Sequence, residues 1–385
     1  MCFFRESTSM HYHNVCLDSF GYTLPQQVVT SSDIETQLAP LYQRLRLPEG
    51  RLELITGIRE RRVWADGTLP SEKSIESAEK AIRASGIDRS EVGALIHASV
   101  CRDHLEPATA CAVHHQLGLP AHCIVYDISN ACLGLLNGMV QIANMIELGQ
   151  IRAGLVVGTE SSRGLMETTI ASLNADTSLT RRQIKLAVAS LTIGSGSCAM
   201  LLTDRELSPT GNRLYAVASQ ANTQHHRLCE SGRDEAADAG MHPLMQTDSE
   251  RLMKEGIDTG VATFARFLQA AELSVDALEK TFCHQVGVTH RKMMLEAMGI
   301  ELAKDFATVE WLGNTGSVAL PTAMAIGLEQ GHVQAGEQVG MLGIGSGINC
   351  LMAAVDWQRA LVCQDLGKVY DSQQASLAST VSSTG

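Results

Sequence analysis

The stretch Asp127-Ile128-Ser129-Asn130-Ala131-Cys132-Leu133-Gly134 carries the side chain best placed for covalent chemistry. A short β-branched run, Cys123-Ile124-Val125-Tyr126, leads into it, and from Leu135 to Leu148 apolar residues recur at helical spacing until Gly149. The pattern predicts a strand, a sharp turn of small residues and a helix with Cys132 at its N-terminus. Free backbone N–H groups and the positive end of the helix dipole favour a thiolate there over a thiol. A thiolate in that position is a nucleophile. One cysteine among eleven is by default a small core residue, so the choice rests on what else converges on it.

An internal repeat supplies the partners. In the first half a helix is followed by SGIDRSEV, a strand ending near Val100, the Cys132 element, a helix ending Gly149-Gln150-Ile151, and the strand LVVG. In the second half a helix from Thr259 to Ala271 is followed by ELSVDAL, a strand ending at His284, an Asn314 element, a helix ending Gly331-His332-Val333, and the strand MLGIG. Cys132 to Gly149 and Asn314 to Gly331 are both steps of seventeen residues. A pseudo-two-fold axis between such halves puts Cys132 and Asn314 on matching helix N-termini facing one centre, with His284 at the end of a strand that also reaches it.

The elements that must hold this set fill an acidic chain of 385 residues, with 45% hydrophobic residues and a net charge of −12, long enough for two domains or one large one. That balance excludes a basic stripe for nucleic acid. The cysteines are odd in number without framework spacing, which points to a reducing compartment. Met1-Cys2-Phe3-Phe4-Arg5-Glu6 is broken by charge, and no window is apolar enough for a membrane span, so the expected location is cytoplasmic.

In chain order, residues 13 to 30 read as strand and turn, and Asp33 to Leu45 as helix. Thr56 to Val63 is a basic patch, equally a solvated turn or a site for phosphates. Ser74 to Ser85 reads as an amphipathic helix, Val92 to Val100 as a buried strand, Thr109 to Leu117 as a short helix and Ala153 to Glu160 as a strand. Glu106 lies in the loop after Val100, by default a solvated charge. Leu191 to Leu202 reads as a glycine-interrupted strand pair, with Gly194-Ser195-Gly196 a crowded backbone or tight turn rather than a phosphate loop. Residues 222 to 256 form a polar excursion over the substrate channel, where His225, His226, Cys229 and His242 fit no zinc spacing. The tail from Asp371 to Gly385 reads as disordered.

Five pieces in order, TGIRERRVW at 56–64, SNACLG at 129–134, HQV at 284–286, GNTGS at 313–317 and GIGSG at 343–347, resemble the thiolase superfamily and its ketosynthase III branch over roughly residues 13 to 357. Within the branch, SVCRDHLEPATA, SNACLGLLNGM and MLGIGSGINC resemble the enzymes that condense two fatty acyl-CoA molecules head to head. The resemblance implies a duplicated five-layer αβαβα fold, with residues 13–212 forming the half that bears the nucleophile and residues 213–357 the half that bears histidine and asparagine, in an obligate homodimer.

It also implies roles. Cys132 would accept the acyl group, with His284 and Asn314 its catalytic partners, and Glu106 would reach the other subunit's site as a base. Arg59, Arg62, Gly345 and Gly347 would bind substrate. The backbone N–H groups of Cys132 and Ser346 would form an oxyanion hole. Thr289 stands where carrier-protein-dependent relatives have an arginine, which favours CoA thioesters over acyl carrier protein. An acyl carrier protein or a downstream pathway enzyme remains a partner to consider, and no cofactor or metal is expected.

These residues suit a Claisen condensation of thioesters. Thiol–thioester exchange loads Cys132, and His284 and Asn314 can donate to the carbonyl of the second thioester as enolate charge develops. A desolvated Glu106 could take the α-proton of an acyl-CoA, whereas a decarboxylating synthase using malonyl units needs no such base. A non-catalytic acyl-binding subunit is the reading from another class, and the intact Cys132, His284 and Asn314 weigh against it. Met139, Met166, Leu252 and Met253 are candidates for setting chain length.

Overall fold

The computed structural model describes residues 9–231 and 245–363; the tail from Asp371 and His242 lie outside these. Ten strands form two five-stranded groups that touch through one residue pair, Cys16 and Arg213. The first group runs Val15–Thr23, Gly196–Asp204, Ala153–Glu160, Val92–Ala98, Ile124–Ile128, and the second Ser9–His11, Arg213–Ala221, Asn349–Asp356, Gln338–Gly345, Lys280–Cys283. In both, a parallel pair is followed by antiparallel neighbours.

The register makes the duplication quantitative. Val156 lies opposite Met200 as Leu342 lies opposite Met352, with Cys198 and Cys350 two residues earlier on the matching strands. His97 pairs with Val157, while Cys283 pairs with Leu342, so His284 comes next beside Gly343. On this register His97 and His284 hold equivalent places, and so do Glu160 and Ser346.

Two helices, Gly134–Glu147 and Ala319–Glu329, form the middle layer. Every residue from Ala319 to Leu328 is buried, as only a helix covered on both sides can be. Their Leu136, Met139, Ile142, Met324 and Ile326 share one core with Ile96, Val156 and Met200 of one sheet and Phe282, Met341 and Ala353 of the other. Pro70–Ser85 and Thr109–Leu117 cover the outer face of the first sheet, and Ser249–Ala271 and Val288–Met298 that of the second. Helix, sheet, helix, sheet and helix are thus the five layers of an α/β fold.

Local departures have local causes. The helical stretch from Asp33 to Leu45 is two helices, Ser31–Gln37 and Ala39–Leu45, because Pro40 has no N–H for a continuing helix and fits only a first turn. Of Leu191 to Leu202 only Gly196–Asp204 is strand; a 3₁₀ turn, Lys185–Leu191, precedes it. A side chain at Gly194 would collide with the carbonyl of Leu312, which accounts for that glycine by crowding. Residues 60–63 form a strand paired with Gln27–Thr30, and this buries two of the three arginines of the basic patch, Arg61 and Arg62. Met139 packs in the central core and Met166 in a separate cluster under the first helices.

Candidate active site

Cys132 sits on a turn built for it. Ala131, just before, is held at φ 44°, a left-handed conformation that costs an alanine energy, and the helix begins two residues later at Gly134. The turn approaches the hairpin Gly345-Ser346-Gly347 so closely that a Cβ on Gly345 would lie 3.4 Å from the Cys132 backbone N. This brings the sequence-predicted oxyanion elements together.

The ionisation expected of Cys132 is not what this site produces. Burial pushes the thiol up to about 12, with the Cys229 thiol and the Glu160 carboxylate adding to the effect. Desolvation opposes a thiolate more strongly than the nearby helix end favours one. Cys132 therefore rests as a thiol.

His284 follows the strand Lys280–Cys283, and its N–H donates to the carbonyl of Leu342 at 3.0 Å. The ring is buried, and neither nitrogen has a hydrogen-bond partner among the described residues. Burial, with His290 nearby, lowers its pKa to about 3, so it is a neutral imidazole carrying one donor. His284 and His290 line one cavity with Met294, Met298, Ile344 and Met352.

Gln285 fixes what comes after. Its Oε1 accepts from the N–H groups of Thr308 and Val309 at 2.7 and 2.9 Å, tying the histidine turn to the short helix Val309–Leu312 that leads into Asn314. Asn314 is buried; its backbone N–H donates to Thr192 O and its carbonyl accepts from Gly194 N, both at 2.9 Å. Its Oδ1 accepts from Gly316 N at 3.0 Å, which orients the amide and leaves the NH₂ end to donate elsewhere.

The two turns meet. A Cβ on Gly134 would lie 3.3 Å from Ser317 Cβ, and Ser317 Oγ donates to Glu160 Oε1 at 2.5 Å. Cys132 and Asn314 are therefore held on opposite sides of one contact, as the repeat predicts. His284 joins through Gly343, two residues from the Gly345 that lies against Cys132.

The other predicted residues fall elsewhere. Arg62 is buried, and its guanidinium donates to Pro25 O at 3.0 Å, so it props a strand and reaches no substrate surface. Arg59 is exposed. Glu106 lies on an exposed loop between Val100 and the helix Thr109–Leu117, beside the sheet edge formed by Ile124–Ile128. Val100, Leu105 and Ile124 are exposed there too. His225 pairs with Glu255 at 3.2 Å, and no three ligating side chains come together among the described residues. Glu160, Gln285 and His290 were not singled out from the sequence: the first ends a strand, the second is one polar residue within a motif, and the third is one of four consecutive polar residues near the start of a helix.

Residues 67–224 match the thiolase N-terminal domain, and residues 268–357 match the C terminal of 3-oxoacyl-[acyl-carrier-protein] synthase III. With the layers and the duplicated turns, these matches define a condensing acyltransferase of the thiolase superfamily.

An acyl-CoA:acyl-CoA alkyltransferase of Shewanella oneidensis is 44% identical over 351 residues, spanning 90% of this chain and all of that one. One from Xanthomonas campestris is 32% identical over 348 residues, with 90% and 100% covered. A structure of Xanthomonas campestris OleA with bound lauric acid and lauroyl-CoA matches at a TM-score of 0.84 and 32% identity, covering 90% of this chain and 100% of that one. The chain belongs to the acyl-CoA:acyl-CoA alkyltransferase family.

Proposed function

We propose that this enzyme joins two fatty acyl-CoA molecules by Claisen condensation to a 2-alkyl-3-oxoacyl product, released as the thioester or its acid. The likeness over nine-tenths of the chain to acyl-CoA:acyl-CoA alkyltransferases carries this reading, with Cys132, His284 and Asn314 all in place.

In the first step the Cys132 sulfur attacks an acyl-CoA carbonyl, the C–S bond to CoA breaks, and the thiol proton leaves with CoA as CoA–SH. Since Cys132 rests protonated, this transfer needs no external proton. In the second step a base takes the α-proton of another acyl-CoA. His284 and the Asn314 amide donate to the enolate oxygen, the carbanion attacks the acyl-cysteine, and the Cys132 thiolate departs and is reprotonated. A neutral His284 is the right form for a donor, and its unpartnered nitrogens are consistent with one reserved for substrate.

We assign the base to Glu106, acting across a homodimer. The support is an open strand edge, Ile124–Ile128, flanked by exposed Val100 and Leu105 on the Glu106 loop; such an edge is normally covered. Arg59 and the Gly345-Ser346-Gly347 turn remain our choices for contacting CoA and the acyl oxygen. No cofactor enters these steps. Ten described cysteines are free and no described helix is long and apolar enough to cross a membrane, which fits the reducing cytoplasm we assign to it.

The test supplies a long-chain acyl-CoA alone, then with malonyl-CoA, and follows free CoA and product mass beside Cys132→Ala. The proposal expects product of doubled chain length from acyl-CoA alone, none from Cys132→Ala, and a large loss in Glu106→Gln. Product that forms only with malonyl-CoA would make the enzyme a decarboxylating synthase and remove the role of Glu106.

A further inference from the structure

The two halves support each other crosswise. Gly345, from the second half, lies against the Cys132 turn of the first. Glu160, from the first half and on the register equivalent to Ser346, lies against the Asn314 turn of the second: a Cβ on Gly316 would come within 3.4 Å of Glu160 Oε1. One contact of this symmetric pair belongs to the oxyanion turn assigned above. The other has a buried carboxylate where its twin has a serine.

Glu160 is 5% exposed, and all its partners are neutral donors. Its Oε1 accepts from Ser317 Oγ at 2.5 Å, Val100 N at 3.0 Å and Ser317 N at 3.4 Å, and its Oε2 from Cys101 N at 3.4 Å. The neighbouring Gly316 N–H is the donor that orients the Asn314 amide. The carboxylate thus binds, in one grip, the loop leading to Glu106 and the turn that aims Asn314. The titratable groups facing it are the thiols of Cys101, on that loop, and Cys132. A buried carboxyl group held this way costs solvation that an apolar side chain would not, so its presence calls for a role.

We propose that Glu160 is a positioning residue for the condensation step, pinning the Gly316-Ser317 turn so that the Asn314 amide stays aimed at the developing enolate. The inference rests on the function proposed above. It assigns Glu160 to the second half-reaction rather than to the loading of Cys132.

Two substitutions separate anchor from charge. Glu160→Gln keeps an oxygen for Val100 N and both Ser317 donors, losing the charge and only the long bond to Cys101. Glu160→Ala loses every bond. Acyl-Cys132 formation is read by mass and condensation by product.

Glu160→Ala is expected to load at close to the parent rate but condense about 10²-fold more slowly, as for a misaimed catalytic group. Glu160→Gln restores condensation to within a few-fold.

Equal losses in loading and condensation, no loss in either, or a Gln variant no better than Ala would overturn the positioning role. If Glu160→Ala does not fold, Ser317→Ala, which deletes the 2.5 Å donor, must show the same split, and parent-like condensation there would sink the proposal. If the parent itself condenses nothing, it is the proposed function that fails, whereas a condensing parent with a Glu160→Ala variant that condenses equally well sinks the positioning role alone.

Discussion

The turns before Cys132 and before Asn314 are the same device made from different residues. In each, the residue immediately ahead of the functional one is left-handed, Ala131 at φ 44° and Gly313 at φ 68°, and each leads into a buried middle-layer helix. The first turn has room for a methyl group. The second does not, since a Cβ at Gly313 would lie 2.6 Å from Thr192 O. A positive φ is therefore borne by an alanine on the thiol side and depends on glycine on the amide side, where ψ of −167° lies in a region open essentially to glycine alone and two chain segments cross.

The largest effect expected from this contrast is in Gly313→Ala. It adds both a left-handed alanine and a backbone collision, and should cost at least about 2 kcal/mol, read as loss of soluble protein or a fallen urea midpoint. A stable, active Gly313→Ala would mean that the two turns are interchangeable.

Acid comes next, because the repeat buries a histidine at the same place in each half. His97 is lowered to about 4 and His284 to about 3, in both cases chiefly by burial. The unfolded chain takes up these protons near pH 6.5 and the folded one does not. The stability associated with the neutral rings is therefore complete above pH 6.5 and declines as pH falls toward 4, by up to about 1.4 kcal/mol per histidine for each pH unit. Urea melts at pH 7 and pH 5 check the sign. His97→Gln should flatten the slope, and an unchanged slope would show that this histidine is not held neutral.

The smallest effect is expected for Ala131→Gly. Relief of the left-handed alanine is offset by the greater freedom of glycine in the unfolded chain, so stability should stay within about 1 kcal/mol of the parent. Thermal melts and acyl-Cys132 formation, measured together, would reveal whether the strain instead serves catalysis.

Much of this was legible from residue order. The repeat, the seventeen-residue step and the small-residue turns follow from local periodicity, and local periodicity is what a sequence displays directly. They predicted the duplicated layers and the meeting of the turn after Cys132 with the turn after Asn314. What could not be read depends on the environment supplied by distant segments. Arg62 looked like a phosphate ligand until strand pairing with Gln27–Thr30 buried it. Cys132 looked like a thiolate because a helix end is visible in sequence, whereas the burial that outweighs it, with Cys229 and Glu160 adding to it, depends on segments distant in the chain. Glu160 read as the last residue of a strand, and its partner Ser317 lies 157 positions away.

The central claim is a division of labour, with the first half's thiol holding one acyl group while the second half's imidazole and amide act on the other. Acyl-CoA alone, given to His284→Ala and Asn314→Ala, tests it most directly, with the mass of the Cys132 peptide and of any product as readouts. The account predicts that acyl-Cys132 accumulates in both variants while condensation falls by about 10²- to 10³-fold, the usual loss for a removed oxyanion donor. Failure of Cys132 to load in either variant would contradict it, because His284 or Asn314 would then serve the first step as well.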